Sequence, residues 1–296
     1  MNLCEYINNA RSFHMNEEQG DERSEMVFCI RLLMEKPCEM PNKRTANKIM
    51  RKHLGISECL EYSNHGMLYA VEEYIVHYND TDQDLPVMLS ISSCDEIKKP
   101  LFNDIEYSQT WNCPKADELI HKCKYQVIAK DLLATGLDYK ERAEMIVHYA
   151  EALVEMYPQC LAVVFDHSKK IFSRDDIINC MIPIENRFIY YAVNVRFFYL
   201  ENKKDMLVDT IGMSMLFLPD LQYRFCGFNP KTVVNHAYNM LYFIYENNNP
   251  VRENDYIDGI RDDCIDMRVQ WPVKYENSMI QPIREVINVN MGEYCG

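Results

Sequence analysis

At 296 residues, 48% of them hydrophobic and 26% charged, the chain has the composition of a globular protein with a sizeable core, built as about two domains or as one domain of two similar halves. An excess of 45 acidic over 31 basic residues gives a formal charge of −14, a field that repels a phosphate backbone and argues against sequence-independent nucleic-acid binding. Nine glycines, nowhere clustered, leave no material for a glycine-rich phosphate loop.

Residues 1–25 read as a polar lead-in, since NEEQGDERSE is too charged to bury. An apolar strand follows over 26–34 and stops at Lys36-Pro37. Pro41-Asn42 opens a helix over 43–54, with Gly55 in the place a C′ glycine prefers. Two strands, 59–62 and 67–78, turn at Asn64-His65-Gly66; NDTDQD is a loop, and 85–92 is a further strand. A short helix starts near Pro114. These elements form an N-terminal α+β half over 26–122.

The remainder, 123–296, reads as a C-terminal α+β half, or packs with the first as one compact domain. Residues 125–133 form a strand. Asp138, with Glu141 at capping-box spacing, starts a helix whose apolar stripe runs from Ala143 to Tyr157 and stops at Pro158. CLAVVF (160–165) is short and wholly apolar, the pattern of a strand buried on both faces. Ser173 and Asp176 signal a short helix over 174–181. Residues 188–200 and 206–217 read as long strands joined by a hairpin at Glu201-Asn202-Lys203-Lys204. Asn229-Pro230 starts a helix to Glu246, and strands near 264–271 and 283–289 complete the chain. The succession predicts α+β architecture, with largely antiparallel sheets, helices packed on one face and two ferredoxin-like halves.

The twelve cysteines are scattered singly with no CxxC, which is the usage of reduced thiols acting as small hydrophobes. Asn8, Asn9, Arg11 and the acids from Glu17 interrupt any apolar secretion segment, and no run approaches the ~20 apolar residues of a membrane span. A cytoplasmic location without membrane association is expected.

Few residues suggest chemistry. Cys113, His121 and Cys123 are acceptable zinc ligands, but a helix over 114–123 would point His121 and Cys123 apart, and no fourth ligand is near in sequence. No metal and no cofactor are expected. His236 is a candidate general base on the Asn-Pro helix, with Asp209 or Asp220 to orient it and Thr210 or Tyr223 as a hydroxyl; the alternative is a half-buried histidine satisfied by a backbone carbonyl. Asp209-Thr210-x-Gly212 reads either as the polar floor of a small pocket or as a close approach over the glycine, with Thr210 bonding across strands. The acidic stretches around Trp111 and from Asp255 to Asp266 lack calcium-loop spacing and read as solvated faces.

Three blocks, WNCPKADELIHKCKYQVIAKDL, CLAVVFDHSKKIFSRDDI and DTIGMSMLFLPDLQYRF, resemble a bacterial family, domain-of-unknown-function family 4261, over roughly residues 85–290. That family has a Trp followed by a His before an apolar strand, here Trp111 and His121. It also has a Thr-x-Gly strand ending in an acidic residue, here Thr210, Gly212 and Asp220. This chain departs from it at Phe217-Leu218, where a second small residue is usual. The resemblance implies a bacterial cytosolic protein found beside toxin–immunity systems and brings no established activity.

Trp111, His121, Asp220 and Tyr223 are the candidate binding residues. The leading expectation is a non-enzymatic, accessory or immunity-like protein whose acidic, tyrosine-bearing surface contacts a protein partner or a second copy. The alternative is a small-molecule hydrolase using His236, Asp209 and Thr210, which requires His236 and Asp209 to meet beside an open cleft.

Overall fold

The computed structural model describes residues 26–78, 82–200, 204–262 and 264–294. The polar lead-in, the first half of the NDTDQD loop (79–81) and the turn at 201–203 lie outside the described residues. In chain order the elements are β1 (Cys29–Met34), α1 (Lys43–Leu54), β2 (Ser57–Ser63), β3 (Gly66–Tyr78), β4 (Gln83–Ser92), β5 (Asp95–Glu96), α2 (Asp104–Ser108), α3 (Ala116–Lys122) and β6 (Tyr125–Leu132). Next come α4 (Tyr139–Met156), β7 (Ala162–Phe165), β8 (Lys170–Ser173), α5 (Arg174–Ile178), α6 (Arg187–Ala192), β9 (Asn194–Tyr199) and β10 (Met206–Ile211). The last are β11 (Asp220–Phe225), α7 (Pro230–Glu246), β12 (Tyr256–Arg261), β13 (Cys264–Asn277) and β14 (Glu285–Val289). The class is α+β, with two mostly antiparallel sheets. Among the described residues no helix is long and apolar enough to cross a membrane.

Local chemistry accounts for most of the boundaries. The Asn42 side chain accepts from Thr45 N, and Gly55 leaves α1 at φ 69, a conformation that needs glycine. Asp138 caps α4 by accepting from Lys140 N, one residue earlier than capping-box spacing predicts. Ser173 and Asp176 form a full reciprocal box on α5. Asn229 caps α7, with Pro230 at its start.

The first sheet runs β2-β3-β4-β6-β1-β7-β8, with β5 beside β6. Its centre, β4-β6-β1-β7, carries α1 after β1 and α4 after β6, both packed against one another. With the β2–β3 hairpin set aside as an insertion, this is the antiparallel order of a ferredoxin-like unit. Strand parity divides the two faces: Ile30, Leu32, Val163 and Phe165 enter the main core, whereas Leu33, Ala162 and Val164 join a smaller cluster under α3 with Phe102 and Cys113. CLAVVF is thus covered on both sides, and short helices pack on the face opposite α1 and α4. The second sheet runs β12-β13-β14-β11-β10-β9, with β11 and β14 parallel. It consists of one meander, a crossover through α7, and a second meander.

The change of sheet does not fall at 122/123. Strands β6, β7 and β8 belong to the first sheet, because β1 needs β6 and β7 on its two sides, and the switch comes between Ser173 and Asn194. One continuous buried cluster, from Phe28 to Met291, spans both sheets.

Two expected strands are shorter than their apolar runs. Residues 187–192 are helical, burying Phe188, Ile189, Tyr191 and Ala192, so the spacing 188/191/192 of a helical face outweighed aromatic β-propensity. The strand expected over 206–217 ends at Ile211. Gly212 takes φ 140, a short 3₁₀ turn covers Met213–Leu216, and Phe217 is left-handed at φ 58.

Candidate functional site

The residues singled out in the late strand and its following helix occupy two sides of the second sheet. Register places Asp209 opposite both Arg196 and Gln222, and the neighbouring pair, Val208 and Tyr223, on the other face. Tyr223 points to α7, where His236 lies; Asp209 points away from it.

Asp209 is fully buried and chelated by two guanidiniums. Arg196 Nε and Nη2 donate to its two oxygens at 2.8 and 2.6 Å, and Arg284 Nη2 adds a bond of 2.9 Å. Arg284 also reaches Asp220 through Nε at 3.1 Å and the Thr210 carbonyl through Nη2. Asp220 accepts further from Thr210 Oγ1 at 3.1 Å, Met213 N at 3.2 Å and Gly212 N at 3.4 Å. Burial pushes the Asp220 carboxyl upward, opposed by Arg284 and these donors. Thr210 Oγ1 in turn accepts from Leu221 N at 2.9 Å.

The segment 278–284 covers this face. Its Met279 N donates to Gln222 Oε1 at 2.8 Å, and its Gln281 carbonyl accepts from Arg196 Nη1 at 3.0 Å. Two acids and two arginines therefore form a closed tetrad with matched charge.

On the opposite face His236, 2% exposed, sits between Tyr223 and β12. Tyr223 Oη and His236 Nδ1 are 3.0 Å apart, and His236 Nε2 lies 2.7 Å from the Asp258 carbonyl. A carbonyl can only accept, so Nε2 carries the proton and Nδ1 accepts from the tyrosine. Burial lowers the imidazole pKa, which keeps it neutral, and Trp271 packs on the ring at a centroid distance of 5.3 Å. His236 is thus satisfied by a backbone carbonyl and ties α7 to the edge strand β12.

Gly212 marks a close backbone approach: a Cβ there would lie 2.4 Å from the Ala192 carbonyl oxygen and 2.9 Å from Val193 Cα. The turn after it is braced from the first sheet's side by Arg142 on α4, which pairs with buried Asp131 at 2.8 Å and donates to the Met215 carbonyl at 2.8 Å.

The structure brings Asp209, Thr210 and Asp220 into one network and joins Tyr223 to His236, but it separates His236 from Asp209 by the thickness of the sheet. Trp111 and His121 lie on the surface of the segment around α3, away from both networks, with His121 Nδ1 2.9 Å from the Asp117 carbonyl. Cys113 and Cys123 are buried in the smaller apolar cluster, apart from the exposed His121. The sequence reading missed Arg196 and Arg284, which come from β9 and from the last loop. It also missed a group formed by His53, His148 and Glu151 on α1 and α4, whose ligand atoms lie within 4.8 Å of one another. The signal for the latter was present as His148-x-x-Glu151, one turn apart on a helical stripe.

The geometry thus defines an α+β protein whose second sheet carries a closed charge network. Residues 209–290 match the model of a family described as a domain of unknown function, DUF4261. The match begins at Asp209 and takes in most of the second sheet and α7, a narrower span than the 85–290 over which the resemblance was read. No curated protein and no solved structure matches the chain.

Proposed function

We propose that this is a non-enzymatic, cytoplasmic interaction protein, accessory or immunity-like, that binds a protein partner. One contrast carries the reading. The polar side chains that could have formed a catalytic set are consumed inside the second sheet, whereas the hairpin of β12 and β13 leaves large apolar side chains outside. Tyr256, Ile265 and Met267 are 66%, 49% and 77% exposed. Asp255, Asp258 and Asp262 stand on the same hairpin, as do Arg261 and Arg268 paired with Asp266, so its exposed apolar side chains lie among charged ones, as in a protein interface. The charge of −14 favours a partner with a basic rim. The hydrolase alternative needs His236 and Asp209 to share a cleft, and strand parity sends them to opposite faces.

The test is affinity capture from the native host with the whole chain as bait, beside an Ile265→Asp/Met267→Asp variant. A partner recovered at stoichiometric yield by the first and lost by the second, with unchanged thermal unfolding, is the expected result. The absence of any stoichiometric partner overturns the proposal.

A further inference from the structure

α1 and α4 lie side by side on the first sheet, and their facing sides bring two histidines and a glutamate together. His53 stands in the last turn of α1; His148 and Glu151 stand one turn apart on α4. Both imidazoles present Nδ1 to the same carboxylate oxygen: His53 Nδ1 lies 3.9 Å, and His148 Nδ1 3.8 Å, from Glu151 Oε2. Two donors at ~2.1 Å from a tetrahedral ion are about 3.4 Å apart. Both histidine–carboxylate distances are within about 0.5 Å of that, and all three ligand atoms lie within 4.8 Å of one another, so the side chains need only draw together to seat one ion. The three side chains are 15%, 26% and 18% exposed, shielded yet open to an ion arriving from solvent.

A second arrangement around the group points the same way. His53 Nε2 lies 2.7 Å from Glu155 Oε2, and His148 Nε2 lies 3.5 Å from Glu144 Oε1. Each ring therefore has one nitrogen facing the common centre and the other facing an outer carboxylate, the relation that fixes tautomer and raises ligand basicity at metal sites. Arg187 from α6 holds the far oxygen of Glu151, leaving Oε2 directed at the histidines. Three carboxylates stand against Arg187 and Lys52, a net charge of −1 that attracts a cation.

We infer that His53, His148 and Glu151 bind a divalent transition-metal ion of the zinc class, clipping α1 to α4. Two nitrogens and one oxygen suit zinc and its neighbours rather than calcium or magnesium, which take oxygen ligands. Solvent supplies the remaining coordination. The site lies on the first sheet's helices, apart from the hairpin proposed to bind a partner, and the two inferences stand independently.

The experiment is titration of the chelator-treated whole chain with Zn²⁺ by calorimetry, and with Co²⁺ by absorption spectroscopy. Expected are one equivalent of tight binding, cobalt ligand-field bands without thiolate charge transfer, and a higher unfolding temperature with metal. His53→Gln and His148→Gln should each weaken binding by more than about tenfold, and Glu155→Gln, which touches only the outer carboxylate, by about tenfold. His121→Gln on the surface of α3 should leave it unchanged. Folding of each variant is checked by circular dichroism. No binding at millimolar Zn²⁺, thiolate bands from the cysteines, or undiminished affinity in a folded His53→Gln/His148→Gln double variant would each overturn the inference.

Discussion

Arg196 and Asp209 face one another across β9 and β10 with two parallel bonds of 2.8 and 2.6 Å, and neither side chain has appreciable contact with water. A second arginine, Arg284, from the segment that covers this face, shares the same carboxylate. Buried charges of this kind contribute little net stability as a set, because desolvation offsets attraction, but they are costly to break singly.

Asp209→Ala should therefore destabilise the protein by about 3–5 kcal/mol, since it takes the carboxylate from buried Arg196 and leaves two arginines to the single acid Asp220. Replacing Arg196 and Asp209 together, as Arg196→Met and Asp209→Leu, should restore much of the loss, because Arg284 and Asp220 stay paired. Urea denaturation midpoints of the single and double variants check both statements. A single variant as stable as the parent would show that water reaches the tetrad.

Gly212→Ala meets backbone rather than a movable side chain. At φ 140 the new Cβ is strained, and it would approach the Ala192 carbonyl within 2.4 Å. A loss of roughly 2 kcal/mol or more is expected, because backbone on either side must shift. The thermal unfolding temperature should fall, and hydrogen exchange should rise at α6 and in the turn over 213–216.

The helices were legible because their ends carry their own chemistry. Asn42, Asp138, Ser173 and Asn229 are caps whose side chains accept from backbone amides one turn in, a purely local matter. Gly212 was legible for the same reason, as a glycine where a strand should tolerate none. The face on which Asp209 lies was not legible. Shifting the start of β10 by one residue would exchange Asp209 with Val208, and only pairing with β9 and β11 fixes that parity. Arg196 and Arg284 escaped notice because the partners of a buried acid are set by which strands become neighbours. The helix over 187–192 was misread because Phe-Ile-Tyr-Tyr favours strands locally, while tertiary packing on α4 rewards its helical face.

Tyr223→Phe removes the hydroxyl that donates to His236 Nδ1 and leaves a buried acceptor unpaired. A cost of about 1–2 kcal/mol follows. The acid limb of stability should also report this histidine. Its pKa in the fold lies below the unfolded value of ~6.5, so the unfolded chain binds more protons as pH drops, and the stabilisation present above that value is lost on acidification. His167, held at about 3 by burial beside Phe28, acts in the same direction down to that pH. Unfolding temperatures at pH 7 and pH 5 should differ less in a His167→Gln variant than in the parent.

Lys170 gives the opposite limb. Its ammonium is wholly enclosed, donating to the Val193 carbonyl at 2.7 Å and lying 5.5 to 5.9 Å from the ring centroids of Tyr190, Phe172 and Tyr238. Burial lowers its pKa from the usual 10.5 to about 7, so between those values the unfolded chain keeps a proton that the folded chain has lost. Stability should rise with pH across that window and level off at either end. Lys170→Met removes the titrating group and should flatten the rise, with its largest advantage over the parent near pH 7, offset by about 1 kcal/mol for the carbonyl left without its donor. Denaturation midpoints from pH 6.5 to 9.5 under reducing conditions provide the comparison. A flat parental profile would mean instead that the three aromatic faces hold the ammonium in its charged form, and the variant would then lose cation–π attraction at every pH.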